Sequence, residues 1–261
     1  MKNAILLLLI CLANASAGTL SESQLKDIRF DQNIGRQVSL DLPFRDETGA
    51  NVKLGDYFGH KPVILVPGYY GCPMLCTLVL NGLIGSLEDL RISVGNQFEV
   101  VNFSINPSET PALAAAKKRS YMRSYGRPGA EAGWKFLTGD QASIQKLADE
   151  IGFHYAYDSN IKQYAHPSGF VVLTPEGKIS RYFFGVDYSA REIDTALTNA
   201  SQEQTSSPVR QLFLLCFHYS PITGKYGNLI ITTIRVLGIA TVLWLGTLIV
   251  RSIARERVRP S

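Results

Sequence analysis

The apolar run Val63-Ile64-Leu65-Val66 leads into a Pro67-Gly68 turn and then into Cys72-Pro73-Met74-Leu75-Cys76. Strand, tight turn and two closely spaced thiols constrain this chain more than any other segment. Proline suits the first helical position, because its φ is already fixed and its missing N–H would have no partner there. Pro73 therefore predicts a helix start with Cys72 at the N-cap and Cys76 one turn later, so that both sulfurs point to one side. The partial positive charge of a helix N-terminus favours thiolate, the form that binds metal or attacks disulfides. Two cysteines packed merely as small hydrophobes would have no reason to occupy the turn before a helix.

The two ends of the chain carry topology signals. Residues 1–17 combine Lys2, an apolar run from Ala4 to Ala13 and the small residues Ala15-Ser16-Ala17, which is the pattern of a secretory signal peptide. Its apolar run is shorter than the ~20 residues a spanning helix needs. Residues 229–250 are almost continuously apolar and are followed by Arg251, Arg255, Arg257 and Arg259. This predicts a transmembrane helix with a cytoplasmic tail, 251–261, by the positive-inside rule. Arg235 falls inside the span, near enough to its outer end for the guanidinium to snorkel to the headgroups. The expected arrangement is a single-pass protein of the inner or cell membrane, with residues 18–200 as an extracytoplasmic domain and 201–228 as linker and juxtamembrane segment.

The basic tail accounts for much of the formal net charge of +4, so charge does not call for a nucleic-acid partner. Loss of the signal peptide removes Cys11 and leaves Cys72, Cys76 and Cys216. An odd number in an exported protein argues against a structural disulfide scaffold. The Cys72/Cys76 pair can instead cycle between dithiol and disulfide, with an extracytoplasmic thiol reductant keeping it ready.

Alternating strand and helix signals organise the exported domain. A helix is expected over 73–90, a strand over 98–105, and a helix opened by Asn106-Pro107-Ser108-Glu109-Thr110-Pro111 and running to 125. A short strand over 134–137 follows, then a helix over 141–151 capped by Asp140. Residues 170–173 and 179–184 flank the turn Pro175-Glu176-Gly177-Lys178 and read as a hairpin, before a last helix over 190–199. Phe44, Asp46, Gly49 and Leu54 fit an added hairpin ahead of this core. The order describes an α/β protein with a mixed sheet of the thioredoxin type and flanking helices.

Three residues separate the cysteines, where the usual redox motif has two. Thiols at i and i+4 can converge on one ion, and a thiolate pair outside the cytosol suits a soft ion, above all Cu(I). A peroxiredoxin reading fails, because Tyr69 stands where its threonine would be. Candidate third ligands are His60, His154, His166 and His218. His166 is the best placed, in a proline-marked loop just before the hairpin, where a thioredoxin-like fold returns the chain towards the cysteine helix.

Gly68-Tyr69 ahead of the paired cysteines, Asn106-Pro107 with Glu109-Thr110-Pro111, and His166 followed by Pro175-Glu176-Gly177 resemble the Sco/SenC copper proteins, from about residue 44 to 197. The resemblance implies a thioredoxin-like fold and a copper site of Cys72, Cys76 and His166. It also implies a metallochaperone role in building the binuclear copper centre of cytochrome c oxidase subunit II. Two positions depart from the family pattern: Thr77 replaces a proline after the second cysteine, and Ala165 replaces an aspartate before the histidine. Losing that aspartate removes an acceptor that would orient the imidazole.

The alternative is a thiol-disulfide reductase acting on the cysteines of the same subunit or of other exported proteins, with Cys72 as nucleophile and Cys76 as resolving thiol. Tyr69, Tyr70, Met74 and Leu75 form either the rim that a partner covers or ordinary packing of the turn. Cys216 and His218, in an apolar segment expected at the outer membrane interface, share one side if that segment is extended. They would then make a second soft-metal site; the alternative is an interfacial helix in which both are incidental.

Overall fold

The computed structural model describes residues 28–72, 75–159, 162–205, 236–242 and 244–247. The expected signal peptide, the Cys216-His218 segment, the basic tail and much of the expected transmembrane span lie outside these residues. So do Pro73 and Met74, and with them the proposed N-cap geometry at Cys72. The chain divides into two units, Met1–Arg210 and Gln211–Ser261.

In chain order, the first unit begins with β1 (Arg29–Phe30), β2 (Pro43–Arg45) and β3 (Asn51–Lys53), then a 3-10 turn (Leu54–Tyr57) and β4 (Val63–Gly68). Next come α1 (Leu75–Glu88), β5 (Glu99–Ser104), α2 (Pro111–Tyr125), the single turn α3 (Ala130–Gly133), β6 (Trp134–Leu137) and α4 (Gln141–Ile151). It closes with β7 (Phe153–His154), β8 (Ala156–Asp158), β9 (Gln163–Ala165), β10 (Gly169–Leu173), β11 (Ile179–Phe184) and α5 (Ala190–Ser201).

The central sheet has the order β11-β10-β4-β5-β6. Strands β4, β5 and β6 are parallel, and β10 and β11 are antiparallel to their neighbours. This mixed sheet with flanking helices agrees with the architecture expected from the sequence. Strand β4 is central, and its alternate residues feed two separate cores. Ile64 and Val66 pack with Leu83, Leu87 and Leu197 from the helices, while Val63 and Leu65 pack with Ile144, Leu147 and Ile151. A strand covered on both faces needs no polar alternation, which is why β4 reads as an unbroken apolar run.

The helix boundaries follow from local chemistry. Thr110 caps α2 by accepting from the Leu113 N–H, with Pro111 at the first position, and Gly126 closes the helix with φ of +63°. Asp140 caps α4 by accepting from Ser143 N–H. Both devices satisfy backbone groups that a helix end leaves unpaired. Strand β6 would be an open sheet edge, but the β2–β3 hairpin continues beyond it: the Arg45 N–H donates to Thr138 O at 2.7 Å and the Thr138 N–H to Arg45 O at 2.8 Å. Covering an edge in this way blunts pairing with other chains.

In the second unit, residues 236–242 and 244–247 are helical, with Val236, Leu237, Ile239, Val242, Trp244 and Leu245 exposed. Among the described residues, no helix is long and apolar enough to cross a membrane.

Candidate metal centre

The sheet delivers the predicted ligands to one region by two routes. Strand β4 ends at Gly68, and the chain turns through Tyr69 to Cys72 before α1 begins. The Cys72 N–H donates to Tyr69 O at 3.3 Å, closing a turn whose central residues are Tyr70 and Gly71. Cys76 lies in the first turn of α1, where the helix dipole favours a thiolate. The second route is the β8–β9 hairpin, which hands the chain to His166 just before β10.

Tyr69 joins the two routes. Its ring meets the imidazole of His166 edge-on, with centroids 5.8 Å apart, and meets Tyr164 of β9 at 5.5 Å. Tyr69 and Cys72 belong to the same buried cluster. Phe153 flanks His166 at 5.7 Å. Cys72 and His166 are each only 8% exposed, so the two donors sit in a low-dielectric setting bounded by aromatic rings.

A backbone carbonyl orients the imidazole. Its Nδ1 lies 2.8 Å from the carbonyl oxygen of Pro167, and a carbonyl only accepts, so Nδ1 carries the proton. In the neutral ring the lone pair is then on Nε2, the form a metal ligand requires. The backbone thus supplies the acceptor whose loss the change to Ala165 implied.

Other predicted residues fall elsewhere. His154 is in β7 and pairs with Asp31 at 3.0 Å, tying β7 to the segment after β1. Tyr69 and Tyr70 are buried, at 7% and 5%, so for these two the packing alternative holds rather than the rim. The reason is tertiary: the Tyr70 hydroxyl donates to Leu137 O at 2.7 Å beneath the sheet end, and Tyr69 fills the gap between the turn and the β8–β9 hairpin. Burial pushes the Tyr70 hydroxyl well above its ordinary value of 10.0, with the charge of Glu109 adding to the effect. Among the described residues, no group of three or more His, Cys, Asp or Glu side chains is placed to hold a metal ion; the Cys76 side chain is not one of those described.

Three contributors to the site were not singled out as such in the sequence. They are the Pro167 carbonyl, the Tyr69 ring, and Glu109, whose carboxylate accepts from the N–H groups of Tyr70 and Gly71 and from the Ser104 hydroxyl. Glu109 and Tyr69 left signals, in the Glu109-Thr110-Pro111 helix opening and in the Gly68-Tyr69 pair; the Pro167 carbonyl left none.

Fold and site together define an α/β protein with Cys72 in the turn before a helix, Cys76 in that helix's first turn, and an oriented histidine packed on Tyr69 of the same turn. The SCO1/SenC family model matches residues 32–202, and the chain belongs to that family. Among solved structures, a protein from Aquifex aeolicus is 30% identical with a TM-score of 0.57, over 65% of this chain and 95% of that one. BsSco, a member of the Sco family of cytochrome c oxidase assembly proteins in which a disulfide switch was identified, is 21% identical with a TM-score of 0.51, over 67% of this chain and 98% of its own. Arabidopsis thaliana ScoI with copper bound is 17% identical with a TM-score of 0.50, over 65% and 99%. The last two likenesses bear on the fold. No curated protein sequence matches the chain.

Proposed function

We propose that this chain is a membrane-tethered metallochaperone of the Sco type that carries copper to the binuclear centre of cytochrome c oxidase subunit II. The observation that carries the reading is the meeting of Cys72 and His166 at Tyr69, with His166 Nδ1 donating to Pro167 O. Two thiols and a neutral imidazole are a soft donor set suited to Cu(I). Relatives in the family hold copper in their structures, which supports the same cargo here.

In this reading, the reduced Cys72 and Cys76 hold Cu(I) together with His166 Nε2, and a partner's ligands displace them one at a time. Burial of Cys72 and His166 keeps bulk thiols away from the ion until a partner docks. The tether is the apolar segment 229–250 with its following arginines, and the signal peptide 1–17 places residues 18–200 on the extracytoplasmic side. An extracytoplasmic thiol reductant keeps the pair ready for loading.

The test is copper stoichiometry and absorption of the reduced full-length chain beside Cys72→Ala and His166→Ala. The expected result is about one copper per chain, as in a single-ion site, with a thiolate charge-transfer band in the Cu(II) form and loss of binding in both variants. A His166→Ala chain that still supports oxidase assembly at limiting copper would overturn the ligand assignment. Thiol-disulfide reduction is the second reading, favoured by the placement of Cys76 in the first turn of α1; it predicts that His166→Ala leaves the protein largely working.

A further inference from the structure

Glu109 is outside the proposed ligand set, yet its carboxylate is committed to the loop that carries it. Oε2 accepts from Tyr70 N–H at 2.7 Å and Oε1 from Gly71 N–H at 2.6 Å. The Ser104 hydroxyl adds a third bond to Oε2 at 2.6 Å. Tyr70 and Gly71 are the two central residues of the turn that the Cys72 N–H closes on Tyr69 O. One carboxylate therefore holds both central amides of the turn immediately before Cys72. Successive amides gathered on one anion form a recurrent binding concavity, and the ionised acceptor strengthens each bond.

The partners of this clamp are themselves fixed. Ser104 ends β5 opposite Gly68 of β4, and the Ile105 N–H donates to Gly68 O at 2.7 Å. Glu109 stands one residue before the Thr110 cap of α2, and its own N–H donates to Asn106 O at 3.1 Å. Residue 71 is a glycine, and a Cβ there would lie 3.2 Å from Glu109 Oε1, so a bare backbone lets the carboxylate approach. With the Tyr70 hydroxyl held by Leu137 O at 2.7 Å, the turn is pinned at its backbone and at its side chain.

From this geometry we infer that Glu109 is a positioning residue of the copper site, one that locks the Tyr69-to-Cys72 turn and so sets Cys72 against His166 before the metal arrives. The inference rests on the ligand reading above. It gives the Glu109-Thr110-Pro111 motif two roles, since Thr110 and Pro111 start α2 while Glu109 reaches across to the cysteine turn. Glutamine is a poor substitute, because its amide nitrogen would face one of the two N–H donors.

The experiment measures Cu(I) affinity of the full-length chain by chelator competition, together with hydrogen exchange at the Tyr70 and Gly71 amides. It compares wild type with Glu109→Gln, Glu109→Ala, Cys72→Ala and His166→Ala. Glu99→Gln serves as control, because Glu99 pairs with Lys61 at the other end of β5. Both Glu109 variants should weaken Cu(I) binding by about 10- to 100-fold, the range for groups that orient metal ligands, shift the Cu(II) charge-transfer band, and unprotect both amides. Glu99→Gln should leave affinity and band unchanged, which separates positioning from general destabilisation. Glu109 variants that expose the amides but bind copper like wild type would overturn the inference. Copper binding that survives both Cys72→Ala and His166→Ala would instead overturn the ligand reading. Should Glu109→Ala fail to fold, Glu109→Gln and Ser104→Ala decide the matter: weakened binding in both supports the clamp, and wild-type affinity in both refutes it.

Discussion

The ring of Tyr69 stands edge-on to the imidazole of His166, with centroids 5.8 Å apart and planes at 81°. Its own carbonyl accepts the N–H of Cys72. One residue thus touches both of the described candidate ligands, by its side chain on one and by its backbone on the other.

Tyr69→Ala removes the ring that positions His166. Truncating a buried aromatic costs about 3–5 kcal/mol, and the freed imidazole should weaken Cu(I) binding by roughly tenfold or more. Tyr69→Phe keeps the ring and should retain most of the affinity. Thermal melts and chelator competition on the two variants check both expectations, and equal copper affinity in Tyr69→Ala and wild type would sink the positioning role.

Gly82 lets α1 lie against the loop before α5. A Cβ on it would stand 1.9 Å from the carbonyl oxygen of Val186 and 2.9 Å from its carbon. These are backbone atoms, so the helix and the loop must separate. Gly82→Ala should cost at least about 1–3 kcal/mol, the usual penalty of overpacking, and should expose Tyr188, whose carbonyl now accepts from Ser86 Oγ at 2.7 Å. Calorimetry on this single variant is decisive, since a higher Tm than wild type contradicts the close approach.

Tyr182 and Tyr188 should make the fold alkali-sensitive. Burial holds both hydroxyls neutral well above their ordinary value of 10.0, and they donate to Ile151 O and Gly185 O. In the unfolded chain each ionises near that ordinary value, so above it the unfolded state has lost a proton that the native state still holds. Stability from these groups is intact below pH 10.0 and falls as pH rises towards the folded-state values. Phenolate absorbance should therefore appear together with loss of far-ultraviolet circular dichroism. Ionisation of all the tyrosines while the protein stays folded would contradict the burial.

Short-range chemistry was legible in the sequence. Asp140 capping α4, Thr110-Pro111 opening α2, the Pro175-to-Lys178 turn and the apolar run of β4 each depend on residues within one or two turns of each other, and all stand where their residue types predict; Pro67-Gly68, read as a turn, instead extends β4, because both residues pair with β5. The β8–β9 hairpin was not legible. It pairs only Ala156-Tyr157-Asp158 with Gln163-Tyr164-Ala165, too short for a periodicity to show, and Tyr157 meets Tyr164 across it only once the strands are paired.

Residue types at the site are written in the chain: two thiols spaced for one side of a helix, a histidine before a hairpin, and a glutamate ahead of a capped helix. Which groups meet was decided only in three dimensions. Glu109 reaches amides 38 and 39 positions away, Tyr69 meets a histidine brought back by β8 and β9, and the Pro167 carbonyl takes the place of a missing aspartate. Spacing along a chain carries no record of such encounters, because the parallel pairing of β4 with β5 and the return of β10 alongside β4 create those distances.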